Sequence, residues 1–205
     1  LVLNVIDSLR AVCHVASELE KPCWLSKGVH DDGHLLVKNG ILNLETKELT
    51  KHTPDYFSSR MVQTVFDENA ESPNEWLEFL SSTLSTNDGS IQTLQEIFGY
   101  LISADTPQHK IFLFLGPTRS GKSTIGRILT ELQGKGSVAA PTLSSLGTNF
   151  GCQPLIGKSV AVVGDARLSR KNCQGSILER MLSISGADEF TLDRKFMTTW
   201  TGQLG

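Results

Sequence analysis

The stretch FLGPTRSGKST, Phe114 to Thr124, decides how this chain is read. Gly116 to Ser123 fits G-x-x-x-x-G-K-[ST] at every position. Each element has a chemical reason. Gly116 and Gly121 allow backbone angles that a side chain would forbid, so successive N–H groups can turn inward around phosphate oxygens. Lys122 supplies a point charge to the β and γ phosphates, and the Ser123 hydroxyl suits Mg²⁺. A helix starting at the lysine aims its positive end at the same anion. With glycine at about 7% per position, a chance match in a chain of this length is roughly one in a hundred. The context lowers it further: the apolar run IFLFL (Ile111 to Leu115) reads as a buried parallel strand, and a helix is predicted from Lys122 to about Gln133. The sites for a nucleotide are therefore Gly116, Pro117, Thr118, Arg119, Ser120, Gly121, Lys122, Ser123 and Thr124. The implied cofactors are a nucleoside triphosphate and Mg²⁺.

A phosphate loop of this kind needs an acid that orients the hydrated metal, usually at the end of another buried strand. Ser159 to Val163, SVAVV, reads as that strand, and it leads through Gly164 to Asp165. Asp165 and Ser123 are the metal candidates; Lys122 and Asp165 are the catalytic ones. Many ATPases follow this Asp with a Glu, but Ala166 stands here. Glu131 and Glu179 are the other carboxylates considered, each read as a solvated helix residue.

Outward from this centre, the grammar of the chain changes near SADTPQ, and the domain boundary is set there. Residues 107–205 alternate strand and helix, with a helix over Ser176 to Ser185 and a short strand or hairpin arm over Phe190 to Phe196. That order favours an α/β layer with a mainly parallel sheet. Residues 1–106 read as a smaller, mixed and mainly helical domain. Leu1 to Leu19 carries apolar residues at helical spacing. Residues 34–52 alternate apolar and polar residues around Asn39-Gly40 and Glu45-Thr46-Lys47, as short hairpins do. Ser72-Pro73-Asn74-Glu75 resembles a capping box opening a helix that buries Trp76, Leu77, Leu80 and Leu84. A second helix from about Gly89 puts Leu94, Phe98 and Leu101 on one face and ends before Pro107. Trp24 is also read as a core residue. Asp31 and Asp32 read as solvated turn carboxylates.

The composition restricts partners. Charged residues make up 20% of the 205 residues and the net charge is −3, so any site for a polyanion must be local. The cysteines Cys13, Cys23, Cys152 and Cys173 form no C-x-x-C pair, and the histidines show no ligand spacing. No apolar run is long enough to span a bilayer. The chain opens on Leu1 and closes on TWTGQLG, and it reads as a piece of something longer. Local basic residues stand at Arg167, Arg170 and Lys171, and again at Arg194 and Lys195.

Three blocks in order, GPTRSGKST, GKSVAVVGDARLS and LERMLSISGADEFTLDRKF, resemble the superfamily 3 helicase core of phage and plasmid primase-helicases. The upstream VKNGILNLETKELTKHTPDYFSSRMV is similar to the segment that precedes the motor in that family. The resemblance runs from about Leu36 onward. It implies an AAA-plus-like P-loop fold and a homo-oligomeric ring, usually a hexamer. The ring hydrolyses ATP and draws single-stranded DNA through its centre, 3′ to 5′. It implies Walker A at Gly116, Gly121, Lys122, Ser123 and Thr124, and Walker B at Asp165. It also implies a DNA-gripping hairpin carrying Lys195 with Arg194, and collar-like helices over residues 73–103. A cytoplasmic protein of phage or prophage origin in a bacterial host follows. The family commonly has Glu where Ala187 stands. Its sensor 1 strand and arginine finger are expected beyond Gly205, so the chain is expected to bind ATP–Mg²⁺ better than it hydrolyses it. Two other readings of the loop stand beside this one. One is a small-molecule kinase with SRKNCQG as a lid; the other is a non-catalytic nucleotide-binding assembly module, argued from Ala166.

Overall fold

A computed structural model describes residues 2–16, 19–84, 89–103, 108–166 and 174–204. The chain opens on helix α1 (Val2–Val12), whose Val5, Leu9 and Val12 are exposed. The helical spacing of the first residues thus gives a helix, but one that ends at Val12 rather than near Leu19.

Small antiparallel sheets follow. Strand β1 (Cys23–Trp24) lies between β2 (Val29–His30) and β6 (Tyr56–Phe57). Strand β4 (Gly40–Asn43) lies between β3 (His34–Val37) and β5 (Leu49–Thr50). The two expected turns are where the sequence put them: Val37 pairs with Gly40, and Leu42 pairs with Leu49. Glycine is required at position 40, because a Cβ there would sit 2.2 Å from the Thr50 carbonyl oxygen. Asn43 holds the second turn, its Oδ1 accepting from the amides of Glu45 at 2.9 Å and Thr46 at 2.8 Å. Val37, Leu42 and Val62 form the core under this sheet, with Ile102 packed against it.

Helix α2 (Asn74–Thr83) and helix α3 (Ser90–Ile102) come next. The expected capping box at Ser72 is corrected. Pro73 holds the N-cap position and no side chain caps the helix. A proline one residue earlier than anticipated displaces Ser72 from the position whose hydroxyl reaches the first-turn amides. The one described capping box is at Thr142, which opens the short helix α5 (Leu143–Leu146).

Helix α4 (Lys122–Gln133) begins at the predicted lysine. Its Ile125 shares a core with Leu80 of α2 and Leu94 of α3, flanked by Trp76, Phe79 and Phe98. At its far end, buried Gln133 donates through Nε2 to the Leu101 carbonyl, and the Gln63 amide donates to the Leu132 carbonyl at 2.8 Å. Residues on both sides of the proposed boundary at 106/107 are thus packed together through α4.

Two strand expectations are corrected. Ile111 to Leu115 pairs with no strand among the described residues, and Leu115 is 84% exposed. Only Phe112 is half-buried, its ring edge-on to Tyr100 at 5.8 Å. An apolar run states a preference for burial, but a parallel strand also needs ladder partners on its edges, and the run names none. The second strand is shorter than SVAVV: β8 (Val160–Ala161) pairs in parallel with β7 (Val138–Ala139), a strand the sequence reading did not include. The Val162 amide extends the pairing by donating to the Ala139 carbonyl at 2.8 Å. This is the only parallel pair of named strands among the described residues.

The C-terminal part has its own core of Ala139, Leu143, Leu146, Cys152, Leu155, Ile177, Leu192 and Leu204. Helix α6 (Gln174–Ser185) covers it, together with the hairpin of β9 (Glu189–Arg194) and β10 (Met197–Gln203). Trp200 packs against this core. Among the described residues, no helix is long and apolar enough to cross a membrane.

Candidate nucleotide and nucleic-acid sites

The glycine-bounded loop from Gly116 to Gly121 is built around Lys122. An ammonium group has three donors, and all three of Lys122 are directed at the loop. Nζ donates to the Gly116 carbonyl at 2.9 Å, the Pro117 carbonyl at 2.7 Å and Ser120 Oγ at 2.9 Å. The loop therefore curls round the cation, and the three oxygens mark where anionic oxygens would compete for it. Gly116 permits this closure, because a Cβ there would lie 2.8 Å from Ser120 Oγ. Arg119 has φ +64 and Gly121 has φ +78, the left-handed angles a tight curl needs.

Gly121 is the N-cap of α4. Its carbonyl accepts from the Thr124 and Ile125 amides, at 2.9 and 3.1 Å. The opening amides of a helix have no acceptor within it, and here they follow a closed loop, which suits an anion. Ser123 is exposed and Thr124 half-buried at this end. Below Gly121 stands a wall the sequence did not announce. A Cβ at 121 would meet Phe79 Cζ at 2.8 Å and Thr83 Cγ2 at 2.9 Å. Helix α2 is thus the floor under the 116–121 loop.

Asp165 lies exposed in the coil after β8. The segment leading to it runs against the phosphate-loop helix, with Val162 Cγ1 3.8 Å from the Cβ position at Gly126. The structure thus brings the segment that carries Asp165 to the helix that begins at Lys122. Among the described residues, no three His, Cys, Asp or Glu side chains are grouped to hold a metal by themselves. A Mg²⁺ bound through one carboxylate, a hydroxyl and substrate phosphates does not require such a group. A hydroxyl such as that of Ser123 and a carboxylate such as that of Asp165 are ligand types that Mg²⁺ takes, and Lys122 carries a charge opposite to that of a triphosphate. Glu131 pairs with Lys135 at 3.4 Å on an exposed face, in keeping with a solvated role, and Glu179 is exposed on α6. Arg167, Arg170, Lys171 and most of SRKNCQG lie outside the described residues.

The second candidate surface is the β9–β10 hairpin. Arg194 pairs with Met197, so Lys195 and Phe196 form the turn. Arg194 is partly committed to the hairpin: its Nε donates to the Thr198 carbonyl at 2.8 Å and Nη2 to Thr198 Oγ1 at 3.2 Å. These bonds brace a register shift between Met197 and Trp200. The Lys195 amide donates to Gln153 Oε1 at 3.2 Å, which ties the turn to the 3₁₀ segment Gln153–Leu155, while its side chain is exposed. Phe196 stands beside it, 95% exposed.

A third cluster corrects the reading of Asp31. Its side chain is only 15% exposed. Asp31 Oδ2 accepts from Trp24 Nε1 and lies 2.8 Å from His34 Nδ1. Burial alone would raise the carboxyl, but hydrogen bonds from His34 and Trp24 and the nearby imidazole hold it below the usual carboxylate range. Burial and the Asp31 charge push the Tyr56 phenol up, and its hydroxyl donates to the His34 carbonyl at 2.9 Å. Trp24, His34 and Tyr56 rings pack around one another, with the Trp24 and Tyr56 centroids 4.9 Å apart. The Asp31-Asp32-Gly33 sequence reads as a turn, and only the fold reveals that one of the two carboxylates turns inward. Asp32 is exposed, as read.

No curated protein matches the chain. Residues 26–85 match a family model described as D5 N terminal like. The match ends before the phosphate loop, covers β2 to α2, and includes Phe79 and Thr83 beneath Gly121. It relates this part of the chain to phage- and plasmid-type primase-helicase proteins.

Proposed function

We propose that the chain is the ATP-driven motor segment of a phage-type replication primase-helicase. It binds ATP–Mg²⁺ at residues 116–124 and moves along single-stranded DNA as a homo-oligomeric ring, a hexamer on the family's pattern. It acts in the cytoplasm of a bacterial host. Residues 107–205 belong on this reading to an AAA-plus-like P-loop core, with the loop at 116–123 opening helix α4 as its Walker A element. The single observation that carries the reading is the three-acceptor closure of the loop on Lys122 at the start of α4.

Bound ATP supplies a hydrolysable phosphoanhydride. Lys122 exchanges its carbonyl partners for phosphate oxygens, and its charge offsets theirs. The opening amides of α4 orient the same groups. Ser123 and Asp165 would hold Mg²⁺ on the protein side, and the ion would offset the phosphate charge. Phe79 and Thr83 of α2 leave no room for a side chain at Gly121. At the hairpin, Lys195 with Arg194 meets DNA phosphates.

The exposed Ala166 after Asp165 favours one second reading, a nucleotide-binding assembly module without hydrolysis. Mass measurement with and without ATP–Mg²⁺, combined with single-stranded DNA binding across a salt series, separates the two. The motor reading expects nucleotide-promoted rings. It expects the log–log salt slope of DNA binding to shrink by roughly 0.7 in Lys195→Ala, one lost phosphate contact. Rings that ignore DNA support the assembly module. A chain that stays monomeric with ATP–Mg²⁺ and ignores DNA contradicts both.

A further inference from the structure

Phe196 is the most exposed large apolar side chain among the described residues, at 95%. It occupies a hairpin turn with φ +61, a conformation that favours glycine or asparagine and opposes a bulky residue. A turn that needs only to reverse the chain would carry a small residue here. The ring is next to a cation, with Lys195 Nζ 5.3 Å from its centroid. Met197, also exposed, broadens the apolar tip. The turn is held from behind by Gln153, and Arg194 braces the strands below it. An exposed aromatic ring beside an exposed ammonium, on a turn tied to Gln153 through its backbone, matches the two surfaces of single-stranded nucleic acid, a π-face and a phosphate.

We propose that Phe196 is a base-stacking residue: its ring lies against an unpaired nucleobase while Lys195 meets an adjoining phosphate. The inference rests on the single-stranded DNA partner proposed above and adds to it a base contact distinct from the phosphate grip. Stacking holds the strand without reading its sequence, because every base offers a π-face.

The test measures binding of a dT oligomer and of its abasic counterpart, which keeps the phosphates and lacks the bases. The full chain is compared with Phe196→Gly, Phe196→Tyr and Lys195→Ala over a salt series. Phe196→Gly is expected to bind the dT oligomer about 5- to 150-fold more weakly, the range for one lost stacking contact, with an unchanged salt slope. Phe196→Tyr keeps the affinity. The original chain should lose on the abasic strand what Phe196→Gly has already lost, and Phe196→Gly should not distinguish the two strands. Lys195→Ala should instead reduce the salt slope. Thermal unfolding of Phe196→Gly should be unchanged or shifted upward, since glycine relieves the left-handed turn. Equal binding by Phe196→Gly and the original chain, or an abasic penalty undiminished in the variant, overturns the stacking proposal while leaving the DNA partner standing. A lower unfolding midpoint in Phe196→Gly also overturns it, because the ring would then be a packing element. If the original chain binds neither strand, the DNA partner and this proposal fail together.

Discussion

Replacing Gly121 by alanine tests the floor of the phosphate loop. The new methyl would stand 2.8 Å from Phe79 Cζ, 2.9 Å from Thr83 Cγ2 and 3.1 Å from Phe79 Cε2. Phe79 cannot move aside freely, because its ring stacks on Trp76 at 5.3 Å and packs against the core of Leu80, Leu94 and Ile125. Two costs combine. A side chain at φ +78 costs about 1–2 kcal/mol, and an extra methyl in a packed site costs roughly 1–3 kcal/mol. The expected loss is about 2–5 kcal/mol, a urea midpoint lower by roughly 1–2.5 M at an m-value of about 2 kcal/mol/M. Phe79→Leu, alone and combined with Gly121→Ala, closes a double-mutant cycle. The steric share should appear as a coupling of about 1 kcal/mol or more, because leucine lacks the atoms nearest the methyl. A midpoint shift under roughly 0.3 M would refute the argument. So would additivity within about 0.5 kcal/mol, the scatter of independent sites.

Other outcomes follow from the same geometry. Gly40→Ala should disrupt the β4–β5 pairing, since its methyl falls 2.2 Å from the Thr50 carbonyl oxygen; amide exchange at Ile41 to Asn43 would report it. Asp31 has a folded-state pKa below its ordinary value, so its stabilisation is present above about pH 4 and lost as pH falls through the folded value. Asp31→Asn should therefore be less stable at neutral pH and flatter in its acid unfolding profile below about pH 4. Thr142→Ala removes the hydroxyl that accepts from the Ser145 amide at 3.1 Å and should cost about 1 kcal/mol in thermal or urea unfolding.

Helix α4 was legible because its determinants are local. Gly121 and Lys122 fix where α4 starts, and Gly134, at φ +80, stands just past its end. The turns at residues 38–39 and 44–48 were legible for the same reason: turn chemistry and alternation act over a few residues. Of the last hairpin only an arm over Phe190 to Phe196 was read; its turn at Lys195 and Phe196 carries no turn residue, and β10 was not anticipated. Partner choice was not. Nothing in IFLFL states which strand it joins, and the fold pairs β7 with β8 instead. Asp31 was misjudged because a carboxylate in a glycine-containing turn turns inward only when Trp24 and His34, seven residues before it and three after, supply donors. Phe79 was not among the residues expected on the buried face of its helix, Trp76, Leu77, Leu80 and Leu84, and no local signal says which loop such a helix supports. Phe196 was visible as the aromatic after two cations, but its exposure and left-handed backbone belong to the fold.

The central claim is that the curl around Lys122 is a seat for a triphosphate. Equilibrium binding of ATP–Mg²⁺ to the intact chain, to Lys122→Ala and to Lys158→Ala tests it most directly. Lys158 also donates to a backbone carbonyl, that of Gly136 at 2.6 Å, but lies away from the loop. Saturable binding is expected, weakened at least about tenfold in Lys122→Ala by the loss of charged hydrogen bonds to phosphate, and unchanged in Lys158→Ala. Equal affinity in all three proteins, or no binding by the original chain, would contradict it.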